Sequence, residues 1–197
     1  MVQKSISTSV LRDLGLVILL TVLAVSWPGT TVPAQVSGSS ANTLRNFGKV
    51  NDAYYRGAQP REHEIDQLKR MGIKTIIDLR KDKEPREAEW VSRAGLQYFN
   101  IPMLAGRAAT EKQVSYFLGL VNDPANGPVY VHCKGGKHRT GALTAAYRIT
   151  HDKWTADQAF EEMKRYDFND GFFGGPSGQK RFVYAFYQQY LANRPAK

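Results

Sequence analysis

The only cysteine of the 197-residue chain, Cys133, follows the apolar run Pro128-Val129-Tyr130-Val131 and His132, and Arg139 comes after five intervening residues. The stretch Val131-His132-Cys133-Lys134-Gly135-Gly136-Lys137-His138-Arg139-Thr140-Gly141 reads as a strand, a tight glycine-containing loop and a helix start. Such a loop favours one chemistry. A helix N-terminus and successive backbone N–H groups in a glycine-containing turn make a concave site for an anion, and phosphate fits it. A thiolate at the base of that cradle meets the same donors, so Cys133 is expected to ionise below the free-thiol value of about 8.5 and to act as a nucleophile.

Arg139 stands at the other lip of the loop. Its planar guanidinium suits two phosphate oxygens at once, and the charge that spreads over the equatorial oxygens during transfer, better than a lysine does. The Thr140 hydroxyl is placed to hydrogen-bond the sulfur and ease its departure from a phospho-cysteine. Lys134, Lys137 and His138 add positive charge around Gly135 and Gly136. They read either as a solvated basic loop or as a cradle for a substrate with more than one phosphate. A lone cysteine is most often a small buried hydrophobe, but that reading leaves the spacing to an arginine and the following Thr140-Gly141 unexplained.

The segment His132 to Gly141 resembles the H-C-x5-R-[ST]-G signature of the cysteine-dependent protein tyrosine and dual-specificity phosphatases. Within that superfamily, the form C-x-x-G-K-H-R-T-G read from Cys133 is similar to the plant and fungal atypical dual-specificity phosphatases and their bacterial relatives. Tyr55-Arg56-Gly57-Ala58-Gln59-Pro60, Ile76-Ile77-Asp78-Leu79-Arg80 and Asn100-Ile101-Pro102-Met103 agree with that branch, and the resemblance runs from about Phe47 to Leu191. It implies the three-layer phosphatase fold, a phospho-cysteine intermediate on Cys133, and a His132 that supports the loop and the thiolate. It also implies an aspartic acid on a separate loop that protonates the leaving oxygen. Here the chain departs from the pattern, because Met103 to Thr110 contains no carboxylate. Glu111 comes next, although a glutamate in a helix's first turn is already explained by the helix dipole. Asp167 and Asp170, in a glycine-rich stretch, are further candidates.

The elements that must position these groups alternate between strand and helix. Val50 and Tyr54 to Arg56 read as strand material, and a helix from about Arg61 to Met71 puts Ile65, Leu68 and Met71 on one face with Gly72 as its stop. Ile73 to Leu79 is a buried strand ending in Asp78 and Arg80, whose expected role is to hold neighbouring groups. A helix over Pro85 to Ala94 and a strand over Leu96 to Ile101 follow. Thr110 with Gln113, and Thr155 with Gln158, are capping boxes that open further helices. The first of these helices shows Val114, Phe117, Leu118 and Val121 as its apolar face. The small residues of Gly141 to Thr150 allow close packing, and Phe182, Val183, Phe186, Tyr187 and Tyr190 stripe a last helix over Lys180 to Asn193. The expected architecture is α/β, a three-layer sandwich with a central mostly parallel sheet flanked by helices and the loop at the carboxyl end of a central strand.

The N-terminus reads differently. Lys4 and Arg12 precede the apolar run Leu14 to Ser26, and Val32-Pro33-Ala34 offers small residues for cleavage, so residues 1–34 are expected to be a signal peptide. The alternative is a membrane anchor, for which the run falls short of the roughly 20 residues a span needs. Residues 35–46 are expected to be a linker and 47–197 one catalytic domain. With Lys4, Arg12 and Asp13 removed, the formal net charge falls only from +9 to +8. That balance suits anionic substrates, and no nucleic-acid module is recognisable. His63, His132, His138 and His151 show no metal-ligand spacing, so neither a metal nor a cofactor is expected. Expected partners are a phosphorylated protein, read as phosphotyrosine-type or dual-specificity, or a polyphosphorylated small molecule such as an inositol phosphate or pyrophosphate. A module that binds phosphate without turnover is the remaining alternative.

Overall fold

The computed structural model describes residues 44–169 and 178–194. The signal-peptide segment, the polar stretch Ser37 to Asn42 and Asp170 lie outside them. The last residues of the expected linker, 44–46, belong to the domain instead: Leu44 is buried in its core and the Asn46 side chain reaches the Cys133 loop.

In chain order, β1 (Gly48–Asn51) and β2 (Tyr54–Ala58) form a hairpin that leads to α1 (Glu62–Arg70), β3 (Thr75–Arg80), α2 (Glu87–Arg93) and β4 (Gln97–Met103). Then come α3 (Glu111–Asn122), β5 (Val129–Cys133), α4 (His138–Thr150), α5 (Ala156–Arg165) and α6 (Gly178–Ala192). The sheet order is β1-β2-β5-β3-β4, with β2, β5, β3 and β4 parallel and β1 an antiparallel edge. Helical crossovers on both faces explain why β3 and β5, at the centre, are buried throughout and read as continuous rather than alternating apolar runs.

Side-chain alternation splits these strands between two cores. Ile76 and Tyr130 pack with Ile65, Leu68 and Val91 from α1 and α2, while Ile77, Leu79, Val129, Val131 and Cys133 pack with α3 to α6. The three-layer expectation therefore holds. Both capping boxes form: Thr110 and Thr155 accept from the N–H of Gln113 and Gln158, whose side chains bond back. Local readings differ at three places. Met71 caps α1 and is exposed, because the helix ends one residue before it. Leu120 is buried on α3 and Leu118 only partly so. Helix α4 begins at His138 rather than Gly141, which brings Arg139 and Thr140 into its first turn.

Candidate active site

The loop between β5 and α4 is held from outside. Gly136 has φ +69, and a Cβ there would lie 2.5 Å from the Gly57 carbonyl carbon, so only glycine lets the loop pass β2 at this distance. The Gly135 carbonyl accepts from Asn46 Nδ2 at 2.7 Å and the Gly136 carbonyl from Arg56 Nη2 at 2.9 Å. With these carbonyls engaged outside, backbone N–H groups are left to face the sulfur, as those of Gly135 and Thr140 do.

Cys133 is buried. Burial raises its thiol pKa. The Thr140 hydroxyl and N–H, the Arg139 charge and the Gly135 N–H outweigh that effect, and the thiol titrates below its ordinary value. Thr140 Oγ1 is buried with no other partner among the described residues, which leaves it free to serve the sulfur. Arg139 is buried too, and one end of its fork is anchored: Nη1 donates to Asp82 Oδ1 and to the Met103 carbonyl, each at 3.1 Å. A cavity of about 500 Å³ opens here, lined by Cys133, Lys134, Gly135, Lys137, His138 and Arg139. All the loop residues singled out by spacing thus line one concavity, apart from the buried Gly136, His132 and Thr140.

The His132 side chain does not face the sulfur. Neighbouring strand residues face opposite sides of a sheet, so while Cys133 joins the α4 side, His132 lies on the other, stacked 5.9 Å from Tyr130. Its Nε2 is 2.6 Å from Glu87 Oε1 and its Nδ1 3.9 Å from Asp78 Oδ1. Burial pulls the imidazole pKa down, but the adjacent Glu87 carboxylate and the Asp78 charge carry it above the usual histidine value. Arg80 completes this buried set, with Nη2 at 2.8 Å from Asp78 Oδ2 and 2.6 Å from Glu87 Oε2. The holding role expected of Asp78 and Arg80 is therefore what the structure displays. Asp78, Glu87 and His132 also come within the spacing of metal ligands, which their positions in the chain did not reveal. The Arg80 guanidinium already sits on both carboxylates, so the donor set fits an ion-pair network better than a cation site.

Lys134, Lys137 and His138 differ in their partners. Lys137 Nζ pairs with Asp167 Oδ2 at 3.3 Å, and His138 Nε2 meets the Asn169 carbonyl and Oδ1 at 3.2 Å. Lys134 alone of the three has no such partner among the described residues, and it also lines a second, smaller cavity with Arg45 and Arg61.

A family model described as "DSP-PTPase phosphatase fused to NAD+ Kinase" matches residues 32–177. The chain belongs to this phosphatase family. Over 125 residues it is 32% identical to the dual specificity protein phosphatase TpbA of Pseudomonas aeruginosa (strain UCBPP-PA14), covering 64% of this chain and 56% of TpbA. It is 30% identical over 129 residues to the inositol diphosphatase SIW14 of Saccharomyces cerevisiae, covering 62% of this chain and 46% of SIW14. The match thus spans about half the length of these curated relatives. A crystal structure of P. aeruginosa TpbA in complex with pTyr, in a cysteine-to-serine variant, superposes with a TM-score of 0.61 at 26% identity, covering 76% of this chain and 91% of that one.

The phosphatase chemistry needs a proton donor, and the structure changes the candidates. Glu111 accepts from Gln189 Nε2 at 3.1 Å in a groove between α3 and α6, so it is not at the cavity. Asp167 is engaged with Lys137. Asp82, which sequence reasoning passed over, is the carboxylate bonded to Arg139. It lies just past the carboxyl end of β3, where open α/β sheets place ligand-binding groups, and that rule was the one signal that pointed to it. Of the two residues that hold the loop's carbonyls, Asn46 carried no signal of a site, and Arg56 stood only within the Tyr55 to Pro60 stretch that agrees with the family, without a role.

Proposed function

We infer that the protein is a phosphatase that hydrolyses phosphate monoesters through a phospho-cysteine on Cys133. The observation that supports it best is a thiol titrating below its ordinary value in the same cavity as a buried arginine at a helix start. Cys133 Sγ attacks phosphorus, the ester P–O bond breaks, and the leaving oxygen takes a proton. Arg139 and the loop N–H groups hold the equatorial oxygens. Water then attacks the phospho-cysteine and gives a proton to the carboxylate that protonated the leaving group, the P–S bond breaks, and the sulfur leaves as a thiolate with the Thr140 hydroxyl bonded to it. No metal enters these steps.

Asp82 supplies the proton. In the free protein its bond to Arg139 holds it below the usual carboxylate range. A bound phosphoryl dianion competes for that guanidinium and sets negative charge beside the carboxylate, both of which favour protonation. Asp82→Asn is expected to slow phenyl phosphate about 100-fold while slowing a fluorinated aryl phosphate, whose leaving group needs little protonation, only a few-fold. Equal losses on both esters would reduce Asp82 to a support for Arg139.

Phosphotyrosine-type substrates are the primary assignment, supported by the likeness to TpbA. Polyphosphorylated small molecules are the second reading, supported by SIW14 and by the unpaired Lys134 at the cavity edge. The protein acts outside the cytoplasm after removal of residues 1–34, a proposal that rests on the charged, apolar and small-residue pattern of that segment. A panel of phosphotyrosine peptide, phosphoserine peptide, an inositol polyphosphate and an inositol pyrophosphate, compared by kcat/KM, tests the function. Turnover is expected to survive EDTA and to be lost to vanadate. Lys134→Ala is expected to cost polyphosphorylated substrates about 10-fold and phosphotyrosine peptide little. An equal cost on all of them would remove the second reading, and binding of esters without any product would favour a binding module.

A further inference from the structure

Arg56 is fully buried on β2 and stands without a carboxylate partner among the described residues. Its Nη2 donates to the Gly136 carbonyl, its guanidinium lies 3.9 Å from the centre of the Tyr166 ring, and its Nε and Nη1 are buried without partners. The titratable groups around it are Tyr54, Glu162, Tyr166 and Cys133. Tyr54 shares its hydroxyl with Thr144, and Glu162 is committed to Arg148 by contacts of 2.6 and 3.1 Å. A buried cation without a counter-ion is costly, and such costs persist where the charge has work to do.

The geometry indicates that work. Arg56 pairs in register with Val131 and Ala58 with Cys133, so Arg56 and Cys133 lie on the same face of the sheet, one strand and one pleat apart. Around Cys133 itself, Arg139, Lys134, Lys137 and His138 line the same cavity, and Arg56 and Tyr130 feel the charge of the thiolate from the sheet. We propose that Arg56 is the buried counter-charge of the Cys133 thiolate and of the bound phosphoryl group, and that it holds the Gly136 carbonyl out of the cradle. It is a positioning residue, since it touches the loop and not the substrate. Stacking on Tyr166 supplies no formal charge, and the one carboxylate whose field reaches Arg56, Glu162, is bonded to Arg148, so much of the Arg56 charge is left to act on the cradle.

The proposal rests on the phosphatase reading, but its test needs no turnover. Cys133 is the only cysteine, so the pH dependence of alkylation of the full chain by iodoacetamide reports that thiol alone. Arg56→Gln keeps a donor for the carbonyl and loses the charge. It is expected to move the alkylation inflection up by about one pH unit and to weaken protection by inorganic phosphate about 10-fold. Arg56→Lys keeps the charge and is expected to leave the inflection within a few tenths of a unit. A glutamine variant with the wild-type profile and protection would overturn the proposal. So would a lysine variant shifted as far as the glutamine one, or failure of both variants to fold, since Arg56 would then be a structural strut. If the phosphatase reading alone is wrong, the wild-type chain turns over no ester while the alkylation shift remains.

Discussion

Cys133→Ser is expected to lower kcat on an aryl phosphate by about 10⁴-fold or more, with phosphate binding retained. The serine hydroxyl fits the same cradle, but its pKa lies far above that of the thiol, so the donors that produce a thiolate do not produce an alkoxide. Knocking out a nucleophile that acts as one unit with its surroundings removes nearly all of the chemical advantage and leaves the binding. Single-turnover measurement with the wild type should show a burst of phenol, and acid quenching should trap phosphate on the protein. Substantial activity in the serine variant would sink the phospho-cysteine mechanism.

The second large effect concerns stability. Arg80→Met is expected to cost about 3–5 kcal/mol in urea unfolding, because it strands the carboxylates of Asp78 and Glu87 in an interior from which both are fully shielded. For a domain of this size that corresponds to a drop of about 10–15 °C in Tm. A loss below about 1 kcal/mol would mean that water reaches the carboxylates. The network also sets a pH window. Asp78 titrates below its ordinary value in the fold: burial opposes this, but the Arg80 bonds and the His132 and Arg80 charges prevail. Its contribution is present above the unfolded value of about 3.9 and is lost as pH falls through the folded one. His132 titrates above its ordinary value, so its contribution is complete below about pH 6.5 and is lost as pH rises through the folded value. Stability contributed by this network should therefore peak between about pH 4 and 6.5, and the variant should lose the acid limb, which Arg80 sets through Asp78, while keeping the alkaline limb, which Glu87 and Asp78 set through His132.

What the sequence made legible follows from the range of each interaction. The strand–loop–helix around Cys133, the two capping boxes and the alternation of elements are written in neighbouring residues, and the structure shows them in place. The groups that complete the site come from afar. Asp82, Arg56 and Asn46 lie 57, 80 and 89 residues from the loop residues they bind, and no local pattern encodes those pairings. Glu111 was a candidate because it stood near the expected loop in the chain, yet the helix-start explanation for it was sufficient. His132 shows the same limit in reverse. Its place beside the nucleophile in sequence suggested contact, while the pleat of β5 sends the two side chains to opposite cores.

The grip of Asn46 and Arg56 on the Gly135 and Gly136 carbonyls has a kinetic side. A cradle shaped in advance needs no rearrangement to receive an ester, and for the same reason none to receive the orthophosphate that hydrolysis leaves behind. The released product meets the same donors and the same guanidinium as the substrate did, without the bulk of a leaving group to crowd it. Rigidity that speeds the first half of the cycle thus invites product inhibition in the second, and an enzyme with this loop would be throttled by the ambient concentration of free phosphate.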